Sequence, residues 1–174
     1  MSEEKKAAAT RYHRKTLLDT ADRLLMQYGY DGMNMNMLAK EAGYSKATVY
    51  VYFESKDEIV RMLCIDRLQL LRREFAVILK NGSEPQEMFG EIRSVLNEFA
   101  IEDGAYFDFI CSQRHAPDDG DASQSEKDLS ALVCGILDDL TALAPRDELK
   151  AKWYSYYGKV KTAGMFCTPD GGKQ

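Results

Sequence analysis

Residues 34–56, Asn-Met-Asn-Met-Leu-Ala-Lys-Glu-Ala-Gly-Tyr-Ser-Lys-Ala-Thr-Val-Tyr-Val-Tyr-Phe-Glu-Ser-Lys, read as two short helices hinged at a glycine. Asn34 is a good N-cap, and Met33 and Leu38 occupy the N′ and N4 positions of a hydrophobic staple, so a helix is predicted to begin at about Met35. Its buried face would be Met35, Leu38, Ala39 and Ala42, and Gly43 would end it in the left-handed C′ conformation. The turn is then Gly43-Tyr44-Ser45. Ser45 can cap a second helix at the N–H of Ala47 or Thr48, while Val49 and Phe53, one turn apart, anchor that helix inward. Two helices joined by so short a glycine-containing turn form the DNA-binding supersecondary unit.

With Val49 and Phe53 facing inward, residues at 100° intervals put Val51 directly outward, Ala47 and Thr48 beside it, and Tyr50 and Tyr52 on the flanks. None of the five is Arg, Asn or Gln, so bidentate pairing to guanine or adenine is unavailable from this face. What remains is apolar contact of Ala47, Val51 and the Thr48 methyl with thymine methyls, and hydroxyls aimed at phosphates or base edges. Lys46 and Lys56 open the second helix and the one after it, where each is placed to reach a phosphate.

The same residues resemble the TetR family of bacterial transcriptional regulators. The resemblance is carried by Gly29-Tyr30-Asp31-Gly32, by Leu38-Ala39-Lys40-Glu41-Ala42-Gly43-Tyr44-Ser45 and by Lys46-Ala47-Thr48-Val49-Tyr50-Val51-Tyr52-Phe53-Glu54-Ser55-Lys56, and it covers about residues 10 to 62. It implies a phosphate contact at Asn34, major-groove contacts at Lys46, Ala47, Thr48, Tyr50, Val51 and Tyr52, and a backbone contact at Lys56; Ser45, at the start of the same helix, is also expected among the DNA-binding residues. Val51 departs from the family pattern, which often has His or Tyr there. The resemblance also implies a homodimer formed through a bundle of the last two helices.

The chain has 174 residues, 45% hydrophobic and 29% charged, which suits one small domain plus one moderate domain. The division expected is a helix-turn-helix domain over 1–53, a helical effector-binding and dimerisation domain over 54–167, and a flexible tail over 168–174. The fold class expected is all-α. No apolar run approaches the roughly 18 residues of a membrane span, and the first residues lack a secretion signal, so a cytoplasmic protein is expected. Cys64, Cys111, Cys134 and Cys167 are scattered, and with only His13 and His115 there is no metal-ligand spacing. No metal, cofactor or catalytic constellation is expected, and an enzyme is disfavoured by the absence of a phosphate loop or nucleophile elbow. The thiols read as reduced, with a redox-sensing pair as the alternative.

The net charge of −5 is unevenly split: residues 1–53 hold 8 Lys+Arg against 6 Asp+Glu, the remainder 15 against 22. Lys5, Lys6, Arg11, Arg14 and Lys15 form a positive leading edge, and a phosphate contact is expected from at least one of Arg11, Arg14 and Lys15.

The remaining pattern is helical. A first helix is predicted from about Ala8 to Tyr28 with Leu17, Leu18, Ala21, Leu24, Leu25 and Tyr28 as its core stripe and Gly29 as its stop. Ser55-Lys56-Asp57-Glu58 is a capping box opening a long helix to about Leu79, with Ile59, Met62, Leu63, Leu70 and Leu71 among its buried positions, and this helix is the expected lever between domains. Asn81-Gly82 breaks the chain. Ser83-Glu84-Pro85-Gln86 starts a helix bearing Phe89, Ile92, Val95, Leu96 and Phe99, and a shorter aromatic helix follows Asp103-Gly104. An acidic loop from His115 to Ala122 precedes two amphipathic stripes, Leu129, Leu132, Val133, Ile136, Leu137, Leu140, Leu143 and then Leu149, Trp153, Tyr157, Val160.

Those last stripes either complete a core or form a dimer face through Leu129, Leu132, Val133, Ile136, Leu140, Trp153, Tyr157 and Val160, with Gly158, Ala163 and Gly164 permitting close approach. Met62, Met88, Phe89, Phe99, Tyr106, Phe107, Cys111 and Trp153 could line an apolar effector pocket, although such a set also makes plain core. The function expected is a repressor that binds a pseudo-palindromic double-stranded DNA operator as a homodimer and is released by a small-molecule effector. The alternative is a DNA-binding regulator without such a ligand, controlled by a protein partner or by redox state.

Overall fold

The computed structural model describes residues 3–81, 84–112 and 122–141. All regular structure among them is helical: α1 (Glu3–Gly32), α2 (Met35–Ala42), α3 (Lys46–Tyr52), α4 (Lys56–Lys80), α5 (Pro85–Glu102), α6 (Gly104–Ser112) and α7 (Gln124–Thr141). The chain divides into two compact units, and the division falls within α4, between Leu63 and Cys64. Expectations for the acidic loop from His115, for Leu143, Leu149, Trp153, Tyr157, Val160, Gly158, Ala163, Gly164 and Cys167, and for the tail lie outside the described residues. So do those for the side chains of Cys111, Leu137 and Leu140.

In the first unit α1 starts five residues earlier than predicted, because Ala7, Ala8 and Ala9 propagate helix without needing burial. Its buried arc is Leu17, Thr20, Ala21, Leu24 and Leu25. Leu18 lies at the margin of that arc and is half-buried, and Tyr28 is 48% exposed, so neither belongs to the core stripe. Tyr28 sits one residue before the backbone leaves the helix at Gly29, whose φ of 67° and ψ of 177° only glycine adopts readily. Thr20 takes a buried place because its hydroxyl donates to the Thr16 carbonyl at 2.9 Å, a local bond that satisfies it without another helix. Met35, Leu38 and Ala39 of α2, Val49 of α3 and the flanking residues Met33 and Phe53 close the core, with Ile59, Val60 and Leu63 from the first two turns of α4. Ala42, expected on the buried face of α2, is half-buried.

In the second unit α4 contributes Cys64, Leu68, Leu71, Phe75 and Ile78, alternating steps of four and three that trace one helical face. Leu70 falls off that face and is 46% exposed, contrary to the prediction that it is buried. Ile92 and Phe99 of α5, Tyr106, Phe109 and Ile110 of α6, and Leu129, Val133 and Ile136 of α7 are buried in the same unit, whereas Phe89, Val95, Leu96, Phe107 and Leu132 are half-buried. Pro85 opens α5 at its first position, where its missing N–H costs nothing. Asp103 separates α5 from α6, its N–H bonded to the Phe99 carbonyl at 2.9 Å and its carbonyl receiving the Tyr106 N–H at 2.9 Å. α7 starts with a reciprocal cap: the Glu126 carboxylate accepts the Ser123 N–H at 2.7 Å, and Ser123 Oγ accepts the Glu126 N–H at 3.4 Å.

Candidate nucleic-acid interface

Three of the four ends of α2 and α3 are closed by the residue the sequence nominated. Asn34 is extended, and its Oδ1 accepts the Asn36 N–H at 3.1 Å and the Met37 N–H at 3.0 Å. The staple residues Met33 and Leu38 are both buried. At the other end Gly43 has φ 75° and ψ 26°, with the Tyr44 N–H on the Ala39 carbonyl at 2.9 Å and the Gly43 N–H on the Lys40 carbonyl at 3.3 Å. This is the Schellman arrangement, which the left-handed glycine makes possible without Cβ strain. Ser45 Oγ then accepts the Thr48 N–H at 3.0 Å, and the two hydroxyls share a 2.7 Å hydrogen bond.

Val49 and Phe53 are fully buried, and the opposite side of α3 is turned out as the 100° spacing requires. Val51 is 77% exposed and Tyr50 46% exposed; Lys46 and Ala47 are exposed, Thr48 and Tyr52 half-buried. An exposed valine flanked by tyrosines contributes no apolar burial to the fold of this unit. Against thymine methyls in a major groove the same area is removed from solvent.

The cations divide into two sets. Lys46 and Arg11 are exposed, with the Lys46 ammonium 5.9 Å from the Tyr50 ring centroid. Lys15 pairs with Asp19 at 2.8 Å, a surface ion pair of one helix. Lys56 is held at the start of α4, where Nζ donates to the Tyr30 carbonyl at 2.9 Å and stands 3.7 Å above the Tyr30 ring. Arg14 turns into the protein. One Nη donates to the Tyr52 carbonyl, the other approaches Met62 Sδ at 3.2 Å, and the guanidinium lies 4.3 Å above the Phe53 ring and 3.9 Å from the Glu58 carboxylate. Its partners stand 38 to 48 residues away in sequence, which is why the charge pattern alone placed it on the leading edge.

Two further networks brace this unit, and the sequence did not single them out. The Tyr30 hydroxyl donates to Asp57 at 2.5 Å; burial first, and then this carboxylate, push its pKa up to about 12. His13 Nδ1 shares a 2.6 Å hydrogen bond with the Tyr44 hydroxyl, and its ring lies 5.6 Å from that of Tyr52. At the start of α4, Ser55 Oγ accepts the Glu58 N–H at 3.0 Å, and the Glu58 carboxylate accepts the Glu54 N–H at 2.6 Å.

The described residues expected to line an effector pocket fall in both units. Met62 lies in the first unit beside Arg14. In the second unit, Phe99 and Phe107 meet edge to face at 6.3 Å, and Tyr106 is buried beneath the Arg67 guanidinium, which lies 5.2 Å from its ring and 3.6 Å from Asp103. Of the residues expected at a dimer face, Leu129, Val133 and Ile136 are buried inside the chain's own second unit. Burial pushes the Cys64 thiol up to about 12, so it is inert as a nucleophile near neutral pH. Among the described residues, no group of three or more His, Cys, Asp or Glu could hold a metal ion, and no helix is long and apolar enough to cross a membrane.

The geometry has counterparts among known proteins. Residues 17–63 match the model of the family described as bacterial regulatory proteins, tetR family. An uncharacterised HTH-type transcriptional regulator of Mycobacterium tuberculosis is 28% identical over 139 residues, 79% of this chain and 68% of its own length. Among solved structures, AibR in complex with isovaleryl coenzyme A and operator DNA superposes with a TM-score of 0.62 at 17% identity, covering 92% of this chain and 90% of that one. FadR from Bacillus subtilis in complex with stearoyl-CoA gives 0.58 at 16% identity, covering 86% and 84%. The two structural likenesses establish the all-helical fold with its N-terminal helix-turn-helix.

Proposed function

Because this chain belongs to the TetR family of transcriptional regulators, we propose that it is a cytoplasmic repressor that holds a pseudo-palindromic operator as a homodimer and releases it on binding a small-molecule effector. The observation that supports this most is the outer side of α3: Ala47, Thr48, Tyr50, Val51 and Tyr52 on a helix fixed at both ends by Ser45 and Phe53, with Val51 spending its area on solvent. A rigid helix presenting a fixed row of side chains is what groove readout requires. Lys46, Asn34 and Lys56 supply positioning contacts to phosphates in this reading, Lys46 the strongest of them because its ammonium is exposed.

A two-fold dimer presents two such helices to half-sites one helical turn apart and multiplies a modest single-site affinity. The dimer face draws on the last two amphipathic stripes, Leu132 being half-buried among the described α7 residues of the first. The effector is a mainly apolar compound met by the aromatic side chains of α5 and α6, Phe89, Phe99, Tyr106 and Phe107. AibR and FadR are solved with acyl-CoA thioesters, which makes such thioesters the first compounds to try.

The test is binding of the purified full chain to the DNA flanking its own gene at several salt concentrations, with its mass in solution measured alongside. Tight, salt-sensitive binding by a dimer supports the reading, and Lys46→Ala is then expected to flatten the log–log salt dependence by about 0.9, the value of one phosphate contact. Binding without sequence preference, or by a strict monomer, contradicts it. A thermal-shift screen over acyl-CoA thioesters and other apolar acids that stabilises nothing, with DNA binding intact, favours a regulator without a small-molecule input.

A further inference from the structure

Two consecutive residues of α1 converge on one residue of the recognition helix. His13 packs its ring against the Tyr52 ring at 5.6 Å and hydrogen-bonds the hydroxyl of Tyr44 in the preceding turn. Arg14 donates to the Tyr52 main-chain carbonyl. That carbonyl belongs to the last turn of a seven-residue helix, where the C=O groups lack intrahelical partners and carry the negative end of the helix dipole. A guanidinium there completes a helix end that the sequence itself leaves open, since Phe53 is extended at φ −143° and closes only the Val49 carbonyl, with its N–H at 3.0 Å.

The same guanidinium lies on the Phe53 ring and faces Glu58 at 3.9 Å, whose carboxylate holds the Glu54 N–H at 2.6 Å. Arg14 therefore binds, through one planar group, the end of α3, the ring that seats α3 in the core, and the cap of α4. With its side chain only 33% exposed and both Nη groups directed inward, at the Tyr52 carbonyl and Met62 Sδ, it is badly placed to serve a phosphate.

We infer that Arg14 is a positioning residue for DNA readout: it sets the pose of the recognition helix from behind, through Tyr52, rather than touching DNA. The inference rests on the DNA-binding reading above and concerns sequence preference, whereas a phosphate contact concerns affinity for every sequence alike. A phosphate-binding arginine contributes about 0.9 to the salt slope; a positioning arginine contributes nothing to it.

The experiment uses the full chain, a duplex enriched on it from a random-sequence pool, and a scrambled duplex of equal length. Binding of wild type, Arg14→Met and Arg14→Lys is measured across a salt series. Met keeps the stem on Phe53 and removes every donor; Lys keeps the charge and removes the planar fork. For Arg14→Met the expected result is a loss of about tenfold in affinity for the enriched duplex, as for losing a charge-assisted hydrogen bond, with little change on the scrambled one and an unchanged slope. For Arg14→Lys the expected result is a smaller fall in the same ratio, again with unchanged slope. A slope lowered by about 0.9 in Arg14→Met with the ratio preserved would overturn the inference, as would full preservation of the ratio in Arg14→Lys.

A measurement on the wild type keeps the test decisive if Arg14→Met does not fold. Modification of Arg14 by phenylglyoxal, read by peptide mass, is expected at the same slow rate with and without the enriched duplex, and protection by the duplex would contradict the inference. If no duplex is enriched by the wild type at all, the DNA-binding reading itself fails, which is distinguishable from failure at Arg14 alone.

Discussion

The two units of this chain are held together by different physics. In the first, the two short helices of the turn and the start of α4 are fixed by side-chain oxygens on backbone N–H groups and by cations on rings and carbonyls: Asn34, Ser45 and Ser55 cap, Arg14 and Lys56 clasp. In the second, long helices meet through aliphatic and aromatic stripes, with Arg67–Asp103 and Arg72–Asp139 as part-exposed ion pairs at the margins. A seven-residue helix such as α3 is far below the length at which helix propagation sustains itself, so its geometry must come from caps and anchors. Longer helices need only a face to bury. The difference teaches why the first unit can present a defined row of side chains, while the second can vary its surface residues and keep its fold.

The contrast can be broken at its strongest points first. Phe53→Ala and Phe75→Ala each remove a fully buried ring, one from each unit, and each is expected to cost about 3–5 kcal/mol. Amide hydrogen exchange should separate them: Phe53→Ala loosens residues 17–63 and abolishes DNA binding, and Phe75→Ala loosens the helices of the second unit. Equal loosening of both units by either substitution would show that the division inside α4 has no energetic meaning.

A smaller effect sharpens the role of caps. Asn34→Ala should cost about 1 kcal/mol and Asn34→Asp almost nothing, because aspartate supplies the same acceptor to the Asn36 and Met37 N–H groups. Chemical denaturation followed by far-UV circular dichroism measures both. Loss of equal size in the two variants would point to a role of Asn34 other than capping.

A further effect is confined to alkaline pH. Tyr30 ionises at about 12 in the folded chain against 10.0 for the free side chain, so the native state holds its proton more tightly. Its contribution to stability is fully present below pH 10 and is lost as pH rises toward 12. Tyr30→Phe should remove that part of the decline, seen as a flatter stability profile above pH 10. An unchanged profile would mean that neither burial nor the Asp57 hydrogen bond raises the Tyr30 pKa in the folded chain.

How much of this was legible in the sequence depends on the range of each interaction. Asn34, Gly43 and Ser45 act on backbone groups two to five residues away, so reading the stretch 34–56 located both helices, the turn and the outward face of α3. Arg14 looked like surface charge because the groups that capture it lie on α3 and α4, and nothing nearby in sequence announces them. Leu70 was misplaced for another reason: a Leu-Leu pair offers two positions 100° apart, and only packing decides that Leu71 is the inner one. Thr20 and Arg61 are buried although their residue types argue against it, Thr20 through its bond to the Thr16 carbonyl. The Ser123–Glu126 cap follows from a Ser-x-x-Glu spacing, but the acidic run before it has the composition of a loop and gives no separate sign of a helix start.

The account stands or falls on what the outer side of α3 touches. Selection of binding sites from random double-stranded DNA by the purified full chain, repeated with Val51→Ser, tests this directly. The account predicts inverted half-sites whose positions under Val51 and Ala47 are thymine, with that preference weakened by Val51→Ser while folding is unchanged, because Val51 is 77% exposed. A core dominated by G·C pairs, or a site unaltered by Val51→Ser, would contradict it.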